Sequence, residues 1–194
     1  MNTPNKLTLL RVLLVPVFVL LFYVQFPAHY LLATLVFVAA AITDAVDGHL
    51  ARKHHLVTDF GKFLDPLADK VLVVTALSCF LQQQKVNIVA FLLIVSREFM
   101  VSALRLVVAN KGTVVAASFA GKLKTAFTMV ALIAAQVYWS FRLDFDAFGL
   151  ALPDTVYTVS EIVLQVLFWI AAVLTVWSGI EYLKAYWKDI NPAK

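Results

Sequence analysis

The sequence predicts an all-α integral membrane protein: six transmembrane helices with a short N-terminal interfacial helix. Three observations carry that expectation. The 194-residue chain is 62% hydrophobic with a mean hydropathy of +0.86, whereas soluble domains sit near half apolar. Its apolar residues gather into six stretches, each close to the ~20 residues that cross ~30 Å of hydrocarbon. The basic residues concentrate in the segments joining alternate stretches, as cytoplasmic loops do. No segment between spans is long enough to fold alone, so residues 1–194 read as a single membrane domain.

In chain order, Asn2-Thr3-Pro4 is a helix-start signal, and Lys6 and Arg11 suit a helix lying at the interface. Asn5, Thr8 and Arg11 recur at helical spacing and are candidates to face a site. The spans are expected near residues 8–25, 29–49, 65–82, 87–108, 122–140 and 157–183. No cleavable leader is expected, because the first apolar run lacks a small-residue cleavage site and continues into a span. An even number of spans puts both termini on one side. With those termini inside, the inner segments hold residues such as Arg52, Lys62, Arg105, Lys122, Lys124 and Lys184, and the outer segments hold only Lys85 and Arg142. Both termini are therefore expected in the cytoplasm.

The net charge of +4 is accounted for by loops meeting anionic headgroups; no nucleic-acid partner is expected. The single cysteine, Cys79, lies in an apolar run and excludes a disulfide framework within the chain. The outer loop 141–156 holds Asp144, Asp146 and Asp154, but their spacing matches no EF-hand and a solvated loop is expected. Trp139, Trp177 and Trp187 near span ends read as interfacial anchors.

The chemistry concentrates between Asp44 and Asp69. The stretch reads Asp44-Ala45-Val46-Asp47-Gly48-His49-Leu50-Ala51-Arg52, then eight residues, then Gly61-Lys62-Phe63-Leu64-Asp65-Pro66-Leu67-Ala68-Asp69. Asp44 and Asp47 are three apart and Asp65 and Asp69 four apart, so each pair shares a helix face. Thr58, Asp59 and Gly61 are expected to turn the chain between two antiparallel helices. Clustered carboxylates repel unless a cation sits among them, and hard oxygen donors suit Mg²⁺ or Mn²⁺. The plainer explanation, Asp65 as an N-cap before Pro66, covers one aspartate and leaves the others unexplained. Ionisable groups in membrane helices are costly and mark function. Gly48 lets a ligand approach the backbone, Arg52 can grip a phosphate with two parallel hydrogen bonds, and Thr58 offers a hydroxyl. His49, His54 and His55 are expected to be solvated loop residues, since oxygen ligands suffice.

This spacing, Asp-x2-Asp-Gly-x2-Ala-Arg-x8-Gly-x3-Asp-x3-Asp, resembles the signature of the CDP-alcohol phosphotransferases, with every fixed position filled. The resemblance implies that family's fold. It implies two divalent metals held by Asp44, Asp47, Asp65 and Asp69, with Asp69 as catalytic base. It also implies contacts to a CDP-diacylglycerol donor from Asn5, Thr8, Gly48, Arg52 and Thr58, and a homodimer.

Span four carries Ser96-Arg97-Glu98 inside apolar sequence and Arg105 near its inner end. Glu98 and Arg105, seven apart, share nearly one helix face. Two readings stand: a buried pairing between helices, or an anion site in which Arg97, Arg105, Lys122 and Lys124 gather beside the small-residue loop Gly112 to Gly121 and bind a phosphate. A closer resemblance favours the second. Arg97-Glu98-Phe99, Ser102-Ala103-Leu104-Arg105, Ala116-Ala117-Ser118 and Gly121-Lys122-Leu123-Lys124-Thr125 are similar to the bacterial members of the family that use glycerol 3-phosphate as acceptor. That likeness implies a cytoplasmic (inner) membrane enzyme of phospholipid synthesis, with lipid as its surroundings. Rival readings are another acceptor, such as inositol phosphate or phosphatidylglycerol, and a divalent-cation transporter. The chain shows no paired repeats of the transporter kind.

Overall fold

A computed structural model of the chain describes the backbone of residues 3–54, 59–111, 118–146, 148–149 and 152–190. Within these, the side chains of 3–7, 44–54, 59–66, 69, 110 and 189–190 are not described. Among the described residues the regular structure is helical: α1 (Thr3–Tyr23), α2 (His29–His54), α3 (Asp59–Gln82), α4 (Ile88–Asn110), α5 (Phe119–Trp139), a π-helical turn (Ser140–Phe145) and α6 (Asp154–Ile190).

Two features of this order correct the sequence expectation. No separate interfacial helix precedes the first span, because α1 runs unbroken from Thr3 to Tyr23. Pro4 falls in its first turn, where a missing N–H costs nothing, and no breaker separates that turn from the apolar run. Asp59 and Gly61 do not form a turn: α3 starts at Asp59, so Asp65 and Pro66 lie inside the helix and the N-cap explanation for Asp65 lapses. Thr58 and His55 lie outside the described residues.

α5 with its π-helical turn, Phe119–Phe145, and α6, over Asp154–Lys188, are long and apolar enough to cross a membrane. α1, α2 and α3 contain shorter apolar runs, Thr8–Tyr23, His29–Thr43 and Lys70–Gln82. α4 spans 23 residues and is interrupted by Arg97, Glu98 and Arg105. α6 departs from helical geometry at Tyr186 (φ −114°, ψ 16°).

The chain's contacts gather into two compact units: Met1–Cys79 with Leu132–Ser160, and Phe80–Ala131 with Glu161–Lys194. In the first, α1 and α2 form an antiparallel hairpin. Thr8, Arg11, Val15, Phe18 and Phe22 are buried on α1, and Tyr30, Ala33, Phe37 and Ala40 on α2. These alternating steps of three and four make one face per helix. The rings of Phe18 and Phe37 sit 5.7 Å apart and those of Phe22 and Tyr30 5.2 Å apart, which sets the register. Counting from Phe18 and Phe37, two helical turns back along α1 and two forward along α2 bring Arg11 level with Asp44, and about three turns bring Thr8 level with Asp47.

At the other end of that hairpin, Asp144 is buried and its Oδ2 accepts a 2.7 Å hydrogen bond from the Leu31 amide, in the first turn of α2. Asp144 therefore caps a helix whose own first turn carries no acid, supplying the acceptor that exposed amides at a helix start need. Asp154 instead pairs with Arg142 at 3.7 Å, and Arg142 lies over the Tyr157 ring at 4.3 Å. Replacing Asp144 with alanine is expected to cost about 1–2 kcal/mol, read as a lower melting temperature in detergent.

In the second unit, Asn87 caps α4 by accepting a 2.8 Å bond from the Val89 amide. Gln165 on α6 donates to the Lys85 carbonyl at 2.8 Å.

Candidate active site

α2 carries Asp44, Asp47, Gly48 and Arg52, and α3 carries Asp65 and Asp69. Both acidic pairs thus lie on continuous helix, where the three- and four-residue spacings put each pair on one face. Among the described residues no group of three His, Cys, Asp or Glu side chains is placed to hold a metal; the four aspartate side chains fall outside that description. The donor set suits hard divalent cations: carboxylate oxygens, carried on two successive helices of the first unit. Asn5 lies in the first turns of α1. Thr8 and Arg11 are 1% and 0% exposed. A hydroxyl and a guanidinium withdrawn from solvent thus lie on α1 at the levels of Asp47 and Asp44.

The predicted basic residues of α4 and α5 meet in the second unit, around two residues that the phosphate-site expectation did not include. Glu98 is one. Its Oε1 contacts Lys124 Nζ and lies 3.5 Å from Arg97. Arg97 and Lys124 are buried, and ionised groups are tolerated out of water only when paired. Arg97 also donates to the Ser178 hydroxyl on α6. Gly179 makes room for this crossing: a Cβ there would sit 3.2 Å from the Arg97 side chain.

Tyr182 is the other. It is buried on α6. Its hydroxyl accepts from Arg105 at 2.8 Å and from the Ser118 amide at 3.0 Å. The guanidinium carbons of Arg97 and Arg105 each lie 5.3 Å from its ring centroid, within cation–π range. Ser118 precedes α5, and its hydroxyl accepts from the Gly121 amide at 3.0 Å, capping the helix. A Cβ on Gly121 would come within 3.4 Å of Tyr182 and 3.2 Å of Ser118 Oγ, so glycine admits the tyrosine there. Lys122 follows and is exposed, as is Arg105. Gly112 to Ala117 lie outside the described residues.

Of the two readings of the α4 charges, the buried pairing is the one these contacts display; Arg105 and Lys122 are left for the phosphate reading. Arg97 and Lys124 are held by Glu98. Arg105 and Lys122 reach solvent beside the start of α5. Three cations to one carboxylate leave the cluster of Arg97, Arg105, Lys124 and Glu98 strongly positive, an environment that attracts a phosphomonoester dianion. Sequence alone gave no sign of Tyr182, an aromatic among the apolar residues of a long helix, distant in the chain from both its partners.

Among the described residues the fold is helical, with an aspartate pair on each of two successive helices, the arrangement that the sequence resemblance calls for. The chain belongs to the CDP-alcohol phosphatidyltransferase family, whose model matches residues 1–177. It is 38% identical to a Bacillus subtilis (strain 168) protein, covering 98% of this chain and 97% of that one. It is 40% identical to a protein of Rickettsia bellii, covering 95% and 94%, and 41% identical to one of Salmonella typhimurium, covering 97% of each. All three relatives are named CDP-diacylglycerol–glycerol-3-phosphate 3-phosphatidyltransferase.

Proposed function

We propose that this protein transfers the phosphatidyl group from CDP-diacylglycerol to glycerol 3-phosphate, forming phosphatidylglycerophosphate and CMP. The observation that carries this reading is the complete aspartate motif on α2 and α3 in a chain about 40% identical, end to end, to relatives bearing that name. The strongly positive, Tyr182-centred cluster supports a phosphorylated acceptor over a neutral alcohol.

The chain acts as one membrane domain, residues 1–194, with six spans and both termini in the cytoplasm of a bacterium, so that the motif opens to the inner face of the cytoplasmic membrane. Asp44, Asp47, Asp65 and Asp69 would hold two divalent ions, Mg²⁺ or Mn²⁺. When bound, such ions neutralise a pyrophosphate and polarise its phosphorus. Asn5, Thr8, Gly48, Arg52 and Thr58 hold the CDP portion of the donor, whose acyl chains lie in the bilayer. Asp69 takes the proton from the acceptor hydroxyl as its oxygen bonds to the lipid-side phosphorus. The bond from that phosphorus to the CMP oxygen breaks, and CMP departs. Arg105 and Lys122 bind the acceptor's phosphate, with Arg97 and Lys124 supplying charge from behind. The active form is a homodimer.

CMP release from CDP-diacylglycerol, measured with glycerol 3-phosphate, inositol phosphate, serine and phosphatidylglycerol in turn, tests the assignment. Glycerol 3-phosphate alone is expected to support turnover; preference for another acceptor would overturn it. Arg105→Ala is expected to raise the acceptor KM about 10–100-fold, the worth of a charge-assisted hydrogen bond of roughly 1.5–3 kcal/mol. The donor KM should stay within about twofold. An unchanged acceptor KM would remove Arg105 from the site.

A further inference from the structure

We propose that Tyr182 is a positioning residue for the acceptor, acting through Arg105; the proposal rests on the acceptor-phosphate reading above. Arg105 is exposed at the end of a long, flexible side chain, and such a group loses much rotamer freedom when it grips a ligand. Here that freedom is removed in advance. The Tyr182 hydroxyl accepts one guanidinium hydrogen at 2.8 Å, and the guanidinium carbon lies over the tyrosine ring at 5.3 Å. A guanidinium has five N–H donors in a rigid plane, so anchoring one corner orients the remainder of the fork.

The anchor is itself fixed. Tyr182 is 3% exposed, its ring stacks on Tyr186 at 6.5 Å, and its hydroxyl accepts the Ser118 amide at 3.0 Å. Through Ser118 the same oxygen ties Arg105 to the capped start of α5, where Lys122 stands exposed. One hydroxyl thus sets the spacing between the Arg105 fork and the first turn of α5. Arg97 lies 5.3 Å from the centroid of the same ring and adds a second positive charge beside it. Any buried phenol needs a partner for its hydroxyl; this one joins the Arg105 fork to the Ser118 amide at the start of α5.

The test is a double-mutant cycle on steady-state kinetics, with glycerol 3-phosphate and CDP-diacylglycerol varied separately in mixed micelles. Tyr182→Phe keeps the ring and removes the oxygen. It is expected to raise the acceptor KM about tenfold or more, to leave the donor KM within about twofold, and to add little to Arg105→Ala in the double variant. An acceptor KM unchanged by Tyr182→Phe while Arg105→Ala raises it would overturn the positioning role alone. No change in either variant would overturn the acceptor-phosphate reading itself. Equal rises in both Michaelis constants, or a Tyr182→Phe effect fully additive with Arg105→Ala, would show that Tyr182 only supports the fold. Arg105→Lys keeps the charge and loses the fork, so it is expected to resemble Arg105→Ala. Full acceptor affinity in the lysine variant would contradict the proposal even if Tyr182→Phe failed to fold.

Discussion

Asp69→Asn is expected to lower kcat by about 10³-fold or more while the protein still folds and extracts into detergent normally. The substitution keeps the side chain's shape and removes its negative charge and basicity. In the proposed reaction that carboxylate does two things: it takes the proton of the acceptor hydroxyl, worth about 10²–10⁴-fold in comparable enzymes, and it completes the oxygen set for the divalent ions. Loss of both places Asp69→Asn below the single-role substitutions. CMP release under saturating donor and acceptor reads the effect directly, and thermal unfolding of the same sample separates it from misfolding. Retention of more than about a tenth of wild-type turnover would exclude Asp69 from the chemistry.

Glu98→Ala is expected to act on stability rather than on the chemical step. Arg97 and Lys124 are buried and share the Glu98 carboxylate. Removing it leaves two buried cations without the carboxylate that they share. Breaking a buried pair in this way costs about 3–5 kcal/mol, equivalent to a fall in melting temperature on the order of 10 °C for a chain of this size. Arg105→Ala provides the contrast. Arg105 is exposed and, among the described residues, its hydrogen-bond partner is the Tyr182 hydroxyl, so its loss should change acceptor binding and scarcely move the melting temperature. Melting curves of the two variants in the same detergent, collected with and without glycerol 3-phosphate, check both statements. Equal stability of Glu98→Ala and wild type would mean that the carboxylate is not what holds Arg97 and Lys124 in place.

The parts of this molecule legible in the sequence were those in which charge interrupts oil. The aspartate motif stands out because each carboxylate is out of place among apolar residues, and its spacings needed only a helix to become geometry. α2 starts at the expected His29, and α4 runs within about two residues of the expected stretch. Helix ends were less legible. Hydropathy marks where a chain stops being apolar, not where it stops being helical, so α6 extends to Ile190 and α3 begins back at Asp59. The separate N-terminal helix failed for the same reason: the polar opening and the apolar run that follows are one helix.

Long-range partners were not legible. Asp144 looked like a loop acid, yet it caps α2 from far along the chain. Glu98 was visible as a charge in a span, but its division of labour with Arg97 and Lys124 depends on how α4 and α5 pack. Tyr182 carried no signal at all. A phenol in an apolar helix satisfies hydropathy whether or not its oxygen is used, and only the positions of Arg105 and Ser118 show that it is.

The most direct test of the central claim is CMP release by the purified protein from CDP-diacylglycerol and glycerol 3-phosphate, titrated with a divalent-metal chelator. Release is expected only when acceptor and Mg²⁺ or Mn²⁺ are both present, to stop on chelation, and to return when the metal is restored. CMP formed at full rate in excess chelator, or none formed under any metal and acceptor condition, would contradict the account.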